Sequence, residues 1–533
     1  MYSRGTSAVN YESPAILVSQ WTVEKIFPSK AAISKFGFIA LFACLDSSCA
    51  LKIIAPATVG NMPSSILSSK SVVAAQNLTL AATPLASLTT KITSCQVSPT
   101  LPPGLLLDAS TCSLTGAPAT AIASPSLYQV KIVDQVGNSE TVSLSLTISP
   151  DHYSCAYTAS YINSSSVYGF QLSANSQALF SAPGMPLSPG RTVSLATDPQ
   201  SKFAVVSVAY PAGLASYSID PNTCALNLAP GSPYSVVNGY STLRYVLLHP
   251  NRKFVYALDD GGNQVFGFTI DPVTYALTAM AGSPWPCGSP LSGTITNLGK
   301  YLYVSNGNAL TGFAIDSATG ALTAVTGSPF AIIGGLNFYS PVIDAADLFL
   351  ALTDYSANLT AIWKITAGTG TLTQAPGSPY TEGGHPGAPI FSRNSQFFYV
   401  PDSTSGQLLG YSINQNNAAL TVLAGLPLAV STHGISALLD PTGQYFLFSD
   451  GTANSTFVYK QNSVTGSLTS VAGSPFVGVE AYFQSPSGRD IYATNITNQL
   501  VHSSFDLLTG SVTAGSAIAG PPAPIYSMGF ASP

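Results

Sequence analysis

Gly231-Ser232-Pro233-Tyr234 returns along the chain as Gly282-Ser283-Pro284-Trp285, Gly327-Ser328-Pro329-Phe330, Gly377-Ser378-Pro379-Tyr380 and Gly473-Ser474-Pro475-Phe476. Worn copies stand at Gly184-Met185-Pro186-Leu187, Gly425-Leu426-Pro427-Leu428 and Gly520-Pro521-Pro522. The interval between copies is that of a four-stranded blade, so the repeat predicts a β-propeller before any single residue is interpreted. Each unit reads as an inner strand ending in a turn, such as Ile435 to Leu439 before Asp440-Pro441-Thr442-Gly443, then an aromatic second strand. A third strand ends as Tyr217-Ser218-Ile219-Asp220, Phe268-Thr269-Ile270-Asp271 or Phe313-Ala314-Ile315-Asp316, and a short outer strand follows. Apolar and small or polar positions alternate, as strands buried between stacked sheets require. In the link, Gly makes the turn, Pro fixes φ and withholds a donor, and the aromatic ring is placed to plug the gap between blades.

The ends of the repeat predict how the ring closes. The first unit opens near Tyr157 with a second strand, whereas Ile525 to Pro533 read as an inner strand. One C-terminal strand would then complete a sheet of three N-terminal strands and leave no open edge. Counting outer strands predicts eight blades, with seven as the alternative where degenerate copies slip. The fold class is therefore all-β, with the propeller over residues 151–533 and a smaller module before it.

Composition narrows the function. Of 533 residues only 8% are charged, against about a quarter in an average soluble domain. The apolar residues come in short alternating runs and none approaches the roughly 18 needed to span a bilayer. A net charge of −5, spread thinly, leaves no basic stripe to neutralise phosphates and argues against nucleic acid as a partner. Residues 1–51 read as an export leader: Lys25, Lys30 and Lys35 precede the apolar run Phe36 to Ala43. Leu41-Phe42-Ala43-Cys44 fits the box at which bacterial lipoproteins are cleaved and acylated on Cys44, and small residues before Cys49 or Ala50 fit ordinary secretory cleavage. A plain N-terminal extension is the competing reading. The expected location is secreted, periplasmic or cell-surface, with a membrane met only through that anchor and the chain otherwise a monomer.

Cys95 and Cys112 lie at a spacing a strand-loop-strand can close and predict a disulfide in an oxidising compartment. Of Cys155, Cys224 and Cys287 one must stay unpaired; Cys155–Cys224 is the conceivable bond, against buried inert thiols. No CxxC or Cys/His zinc spacing occurs, so neither a metal nor an organic cofactor is expected.

Residues 52–150 carry a pattern of their own: Leu101-Pro102-Pro103-Gly104-Leu105-Leu106-Leu107-Asp108, then Cys112-Ser113-Leu114-Thr115-Gly116-Ala117-Pro118, then alternating stretches from Tyr128 and from Glu140. They predict a small antiparallel sandwich. These residues resemble the immunoglobulin-like domains of bacterial surface proteins, which implies a spacer or adhesive unit without chemistry. The repeat from Cys155 onward resembles the lactonase-type propeller family, which includes 6-phosphogluconolactonase-like and carboxymuconate-cyclase-like proteins and surface-layer YVTN repeats. The elements that carry the likeness are Phe254-Val255-Tyr256-Ala257, Leu302-Tyr303-Val304-Ser305-Asn306, Thr319-Gly320-Ala321-Leu322-Thr323 and the Gly-Ser-Pro links. They are strands and turns, and fold alone assigns no reaction.

Aligning the units on the turn after the inner strand puts Arg191, His385 and His433 at one register, with Arg244 and Glu480 two residues later on the same strand face. Ser289, Leu336 and Phe338 occupy the equivalent places in the two blades between. His385, His433 and Glu480 are the candidate acid–base groups, and Arg191 and Arg244 the candidate anion-binding groups, of a site around one channel mouth. Charged residues also gather there simply because a channel is wet. Glu382, beside His385, reads as part of a solvated loop, and the Asn-x-Ser/Thr triplets at Asn77, Asn163, Asn358, Asn454 and Asn495 matter only in a glycosylating pathway. Two functions fit: a secreted or anchored module binding a carbohydrate, a small carboxylated ligand or a cell-surface protein, and a lactonase or cyclase acting on a sugar acid or lactone through the His/Arg/Glu set.

Overall fold

The computed structural model describes residues 65–533 apart from 77–78, 88–89, 150–152, 161–165, 175–176, 191, 210–211, 237–242, 308, 333–338, 431–434, 451–452, 480, 486, 495–498, 520–526 and 532–533. The chain divides into two units, Met1–Pro150 and Asp151–Pro533. All described regular structure is β.

In the first unit a four-stranded sheet runs Ser65–Ala75, Ser139–Ser149, Ile122–Asp134, Ile92–Ser98, and a three-stranded sheet runs Leu80–Pro84, Ser113–Gly116, Leu105–Leu107. Alternate residues of both sheets, among them Leu114, Val130, Ile132, Leu144 and Leu146, form one buried core. The expected antiparallel order fails at one edge, where Ser65–Ala75 pairs parallel with Ser139–Ser149. The reason is a crossover: after Ala75 the chain passes to the other sheet as Leu80–Pro84 rather than turning back in a hairpin. Cys95 and Cys112 are disulfide-bonded with Cα atoms 5.6 Å apart and join the two sheets. The Gly104 and Gly116 motif positions have φ of 90° and 104°. A Cβ on Gly104 would stand 2.0 Å from Ala117 O, and one on Gly116 2.2 Å from Gly104 O, so only glycine fits. Between them the Asp108 carboxylate accepts from Ser110 N, Ser110 Oγ and Thr111 N at 2.8, 2.7 and 2.9 Å, which lowers its pKa to about 2.

In the second unit the described strands form eight sheets, seven of them consecutive in sequence. The remaining sheet is ordered Leu179–Ser181, Ser166–Ser173, Tyr153–Ser160, Ser527–Ala531, so the C-terminal strand supplies its innermost member, antiparallel to Tyr153–Ser160. Buried clusters bridge neighbours around the whole ring. Tyr157 packs with Val206 between the first and second sheets, Val255 with Leu214 between the second and third, and Tyr256 with Leu302 between the third and fourth. Tyr303 packs with Leu352, Phe349 with Phe398, Tyr399 with Phe446, and Leu447 with Ile491 between successive later sheets. Tyr492 of the last sheet packs with Phe170 of the first. This is the closed cycle that defines a propeller.

The link residues do identifiable work. Ser232, Ser283, Ser328, Ser378 and Ser474 each accept on Oγ from the third-strand amide of Ser216, Gly267, Gly312, Ile362 and Val458, at 2.8 to 3.1 Å. The following peptide is cis in all five. Tyr234 and Tyr380 then reach across, and their Oη accept from Leu277 N and Leu420 N at 2.8 and 3.0 Å. Second-strand tyrosines make the return contact: Tyr256, Tyr303 and Tyr399 donate to the carbonyls of Gly320, Gly370 and Gly466 at 2.7, 2.6 and 2.6 Å. Gly320 sits in the next sheet's outer turn with φ of 75°, where a Cβ would come within 2.8 Å of the Phe254 ring. Close approach and backbone conformation together explain the Thr-Gly-Ala-Leu pattern.

Candidate functional site

Arg244 is the second residue of the innermost strand Leu243–Leu248 and lies beside the end of the paired strand Phe254–Asp259. Its Nε meets Asp260 Oδ2 at 2.8 Å, and Asp260 Oδ1 accepts from Ser289 Oγ at 3.0 Å. Arg244 and Ser289, aligned in the sequence, are thus joined through an aspartate that the alignment did not single out. The guanidinium is half exposed and its charge already has a partner.

His385 stands at the equivalent crossing of the sixth sheet, where Pro386 bridges Asp402 at the end of Phe397–Asp402. The turn after Asp402 grips it. Ser403 N and Ser403 Oγ both donate to His385 O at 2.9 Å, and Thr404 Oγ1 lies 2.8 Å from His385 Nδ1. Asp402 holds that turn by accepting from Thr404 N at 2.9 Å and from Ser405 N at 3.1 Å. The imidazole stacks on Tyr355 with centroids 4.2 Å apart and planes 24° apart, and Tyr355 is 48% exposed. Nε2 of His385 makes no hydrogen bond among the described residues.

Arg244 and His385 lie on the ring face where innermost strands begin, in the third and sixth sheets, each bound to its own neighbours. Arg191, His433 and Glu480 lie outside the described residues, as does Cys44. A cavity of about 770 Å³ lined by Gln177, Gln444, Arg489, Asp490 and Phe505 opens away from Arg244 and His385. Among the described residues no group of three or more His, Cys, Asp or Glu side chains could hold a metal.

Glu382 departs from the solvated-loop expectation. It is 4% exposed, and its Oε2 accepts from Tyr411 Oη at 2.9 Å. Burial pushes the Glu382 acid above the ordinary carboxyl range, and the same contact with burial pushes the Tyr411 phenol up. The repeat held the signal: in four other sheets the equivalent link residues are Val236, Cys287, Ile332 and Val430, all buried, and in the seventh it is Gly478. A glutamate in a series of apolar plugs marks a polar pocket between blades.

Cys155 and Cys224 form a disulfide with Cα atoms 5.5 Å apart. Cys287 is free and buried, and burial followed by the Asp259 charge pushes its thiol up to about 12, so it is inert at neutral pH.

The fold and this mouth define a β-propeller protein carrying an immunoglobulin-like module. Residues 56–149 match the family model described as "Putative Ig domain". No curated protein matches the chain. Among solved structures it is similar to a "putative 6-phosphogluconolactonase" from Bacteroides uniformis, at 16% identity over 62% of this chain and 98% of that one, with TM-score 0.46. It is similar to another from Bacteroides fragilis, at 15% identity over 72% and 98%, with TM-score 0.45. A periplasmic gluconolactonase from Pseudomonas aeruginosa shares 18% identity over 64% and 98%, with TM-score 0.44. At that degree of likeness no activity transfers to this chain.

Proposed function

We propose that the chain is an extracytoplasmic binding protein whose propeller takes a carbohydrate on the ring face bearing Tyr355 and His385. The observation that carries this reading is the stacked pair itself: an exposed aromatic face beside an imidazole held by Thr404 and open at Nε2. An aromatic face packs against the apolar face of a sugar ring, and a fixed polar group beside it reads a hydroxyl. Two disulfides in one chain support an oxidising compartment, which agrees with the leader-like N-terminus.

A lactonase reading draws support from the same imidazole, because a histidine with one nitrogen held and the other open is equipped as a general base. Calorimetric titration with neutral oligosaccharides, sugar acids and sugar lactones separates the two. Binding of an oligosaccharide that Tyr355→Ala weakens at least tenfold supports the carbohydrate site. Lactone hydrolysis that His385→Ala abolishes would replace it with the enzyme, and no heat from any sugar would remove both.

A further inference from the structure

The pocket between the fifth and sixth sheets holds more than one buried oxygen without a donor. Glu382 Oε1, Thr360 Oγ1 and Asn358 Oδ1 are all buried and make no hydrogen bond. The register brings them together. Thr360 pairs with Tyr380 and Leu359 with Thr381, and Glu382 N donates to Asn358 O at 2.8 Å, so Asn358 and Glu382 face each other across the ladder. Asn358 is the last residue of the turn before Leu359–Ile365, with φ of 57°, and Thr360 follows it on that strand, where cross-strand partners share a face. Thr360 Oγ1 lies near enough to the Glu382 carboxyl to favour its charged form, yet without hydrogen-bond geometry.

Charge adds a second, independent argument. Glu382 and Asp402, at 4% and 1% exposure, lie close enough for the Asp402 charge to act on Glu382. Asp402 is occupied by Thr404 N, Ser405 N and Ser405 Oγ, the last at 2.6 Å. None of the ion pairs of the described residues includes either carboxylate. Two buried carboxylates without a cation are costly, and each orphaned buried oxygen costs about 1–3 kcal/mol. The pattern is particular to this place. Strand positions equivalent to Thr360 are Leu214, Val265, Leu310 and Leu408 in four sheets and Thr456 in the seventh, where Thr456 Oγ1 donates to Val479 O at 2.9 Å and the link residue is Gly478. What sets this place apart among these sheets is the link carboxylate, which here meets a strand hydroxyl.

We propose that Glu382, Thr360 and Asn358 bind one hard, oxygen-seeking metal cation beneath the loop that carries His385. A carboxylate, an amide oxygen and a hydroxyl are the donors that calcium and the alkali cations take, with backbone carbonyls and water completing the shell. Soft metals are disfavoured, since no thiolate or imidazole is in the set. Because Gly383 and Gly384 alone separate Glu382 from His385, occupancy would also steady the mouth.

The test is metal-dependent stability of the purified full chain. After chelation and exchange into choline buffer, thermal unfolding is followed while calcium, sodium or potassium is added separately, and binding is counted by calorimetry. The expected result is a saturable rise of several degrees in Tm with one of them and one site per chain, lost in Glu382→Gln and weakened in Thr360→Val. A Tm indifferent to all three cations would overturn the proposal and leave Glu382 as a protonated acid, as would a response that Glu382→Gln retains. Should Glu382→Gln fail to fold, elemental analysis of the folded parent decides: one bound equivalent, lowered in Thr360→Val, supports the site, and no metal removes it.

Discussion

Tyr157 donates to the carbonyl of Cys224 at 2.8 Å, and Cys224 is disulfide-bonded to Cys155, two residues before Tyr157 on the same strand. That strand is also the one that receives Ser527–Ala531, with Ala531 opposite Cys155. The covalent bond, the tyrosine contact and the ring closure therefore meet at a single strand. The outer turn of the neighbouring sheet is thereby tied to the strand on which the ring closes.

Removing that bond is expected to destabilise the propeller substantially. The disulfide closes a separation of 69 residues, for which loop-closure entropy gives about 4 kcal/mol. Urea unfolding of Cys155→Ala/Cys224→Ala should show a lower midpoint, most strongly in the signal of the first and last sheets. An unchanged midpoint would mean that the packing of Tyr492 against Phe170 suffices.

The link serine is predicted to matter through one hydroxyl. Ser283→Ala leaves the Gly267 amide without its acceptor and should cost about 1 kcal/mol. Ser283→Thr keeps the oxygen and tests geometry. Denaturation midpoints of the two variants, compared with Ser470→Ala on an exposed outer strand, give the contrast.

Alkaline pH should weaken the fold. Burial raises the phenols of Tyr256, Tyr303 and Tyr399 and brings Tyr217 to about 12, whereas an unfolded tyrosine titrates near about 10. Above that pH the unfolded chain binds fewer protons than the folded one, so stability is full below about 10 and declines as pH rises toward the folded values. Thermal unfolding between pH 8 and 11 should show this decline. Tyr303→Phe should make it shallower while costing about 1 kcal/mol at neutral pH.

On the other ring face, Arg252 Nε and Nη2 meet Asp198 Oδ1 and Oδ2 at 2.5 and 2.9 Å, and Asp198 is fully buried. Arg252→Ala strands that carboxylate and is expected to cost about 3 kcal/mol, measured by urea unfolding. Arg252→Ala combined with Asp198→Asn should recover part of the loss.

What could be read from residues alone follows the distance over which the cause acts. The blade repeat, the inner-strand role of the C-terminus and the paired glycines at 104 and 116 are set by local turn chemistry, so each leaves a mark in sequence. The return hydrogen bond from Tyr303 to Gly370 joins residues 67 apart and shows no pattern until the ring is built. Asp260 beside Arg244 was hidden because it sits one residue beyond a strand, where no repeat position draws attention. Glu382 is readable only against its counterparts in the other links, because its polar neighbours alone describe a solvated loop. The parallel edge of Ser65–Ala75 escaped because alternation specifies a face, never a direction.

The pairing of Ser527–Ala531 with Tyr153–Ser160 also orders events in time. A nascent chain emerges from its N-terminal end, so the strand made early in the propeller waits for almost the whole ring to be synthesised before its inner edge is covered. Until then the ladder from Tyr153 to Ser160 offers unpaired amides and carbonyls to any passing strand. A ribosome stalled late, or a protease trimming the last residues, would yield not a propeller short of one small piece but a molecule with an adhesive seam.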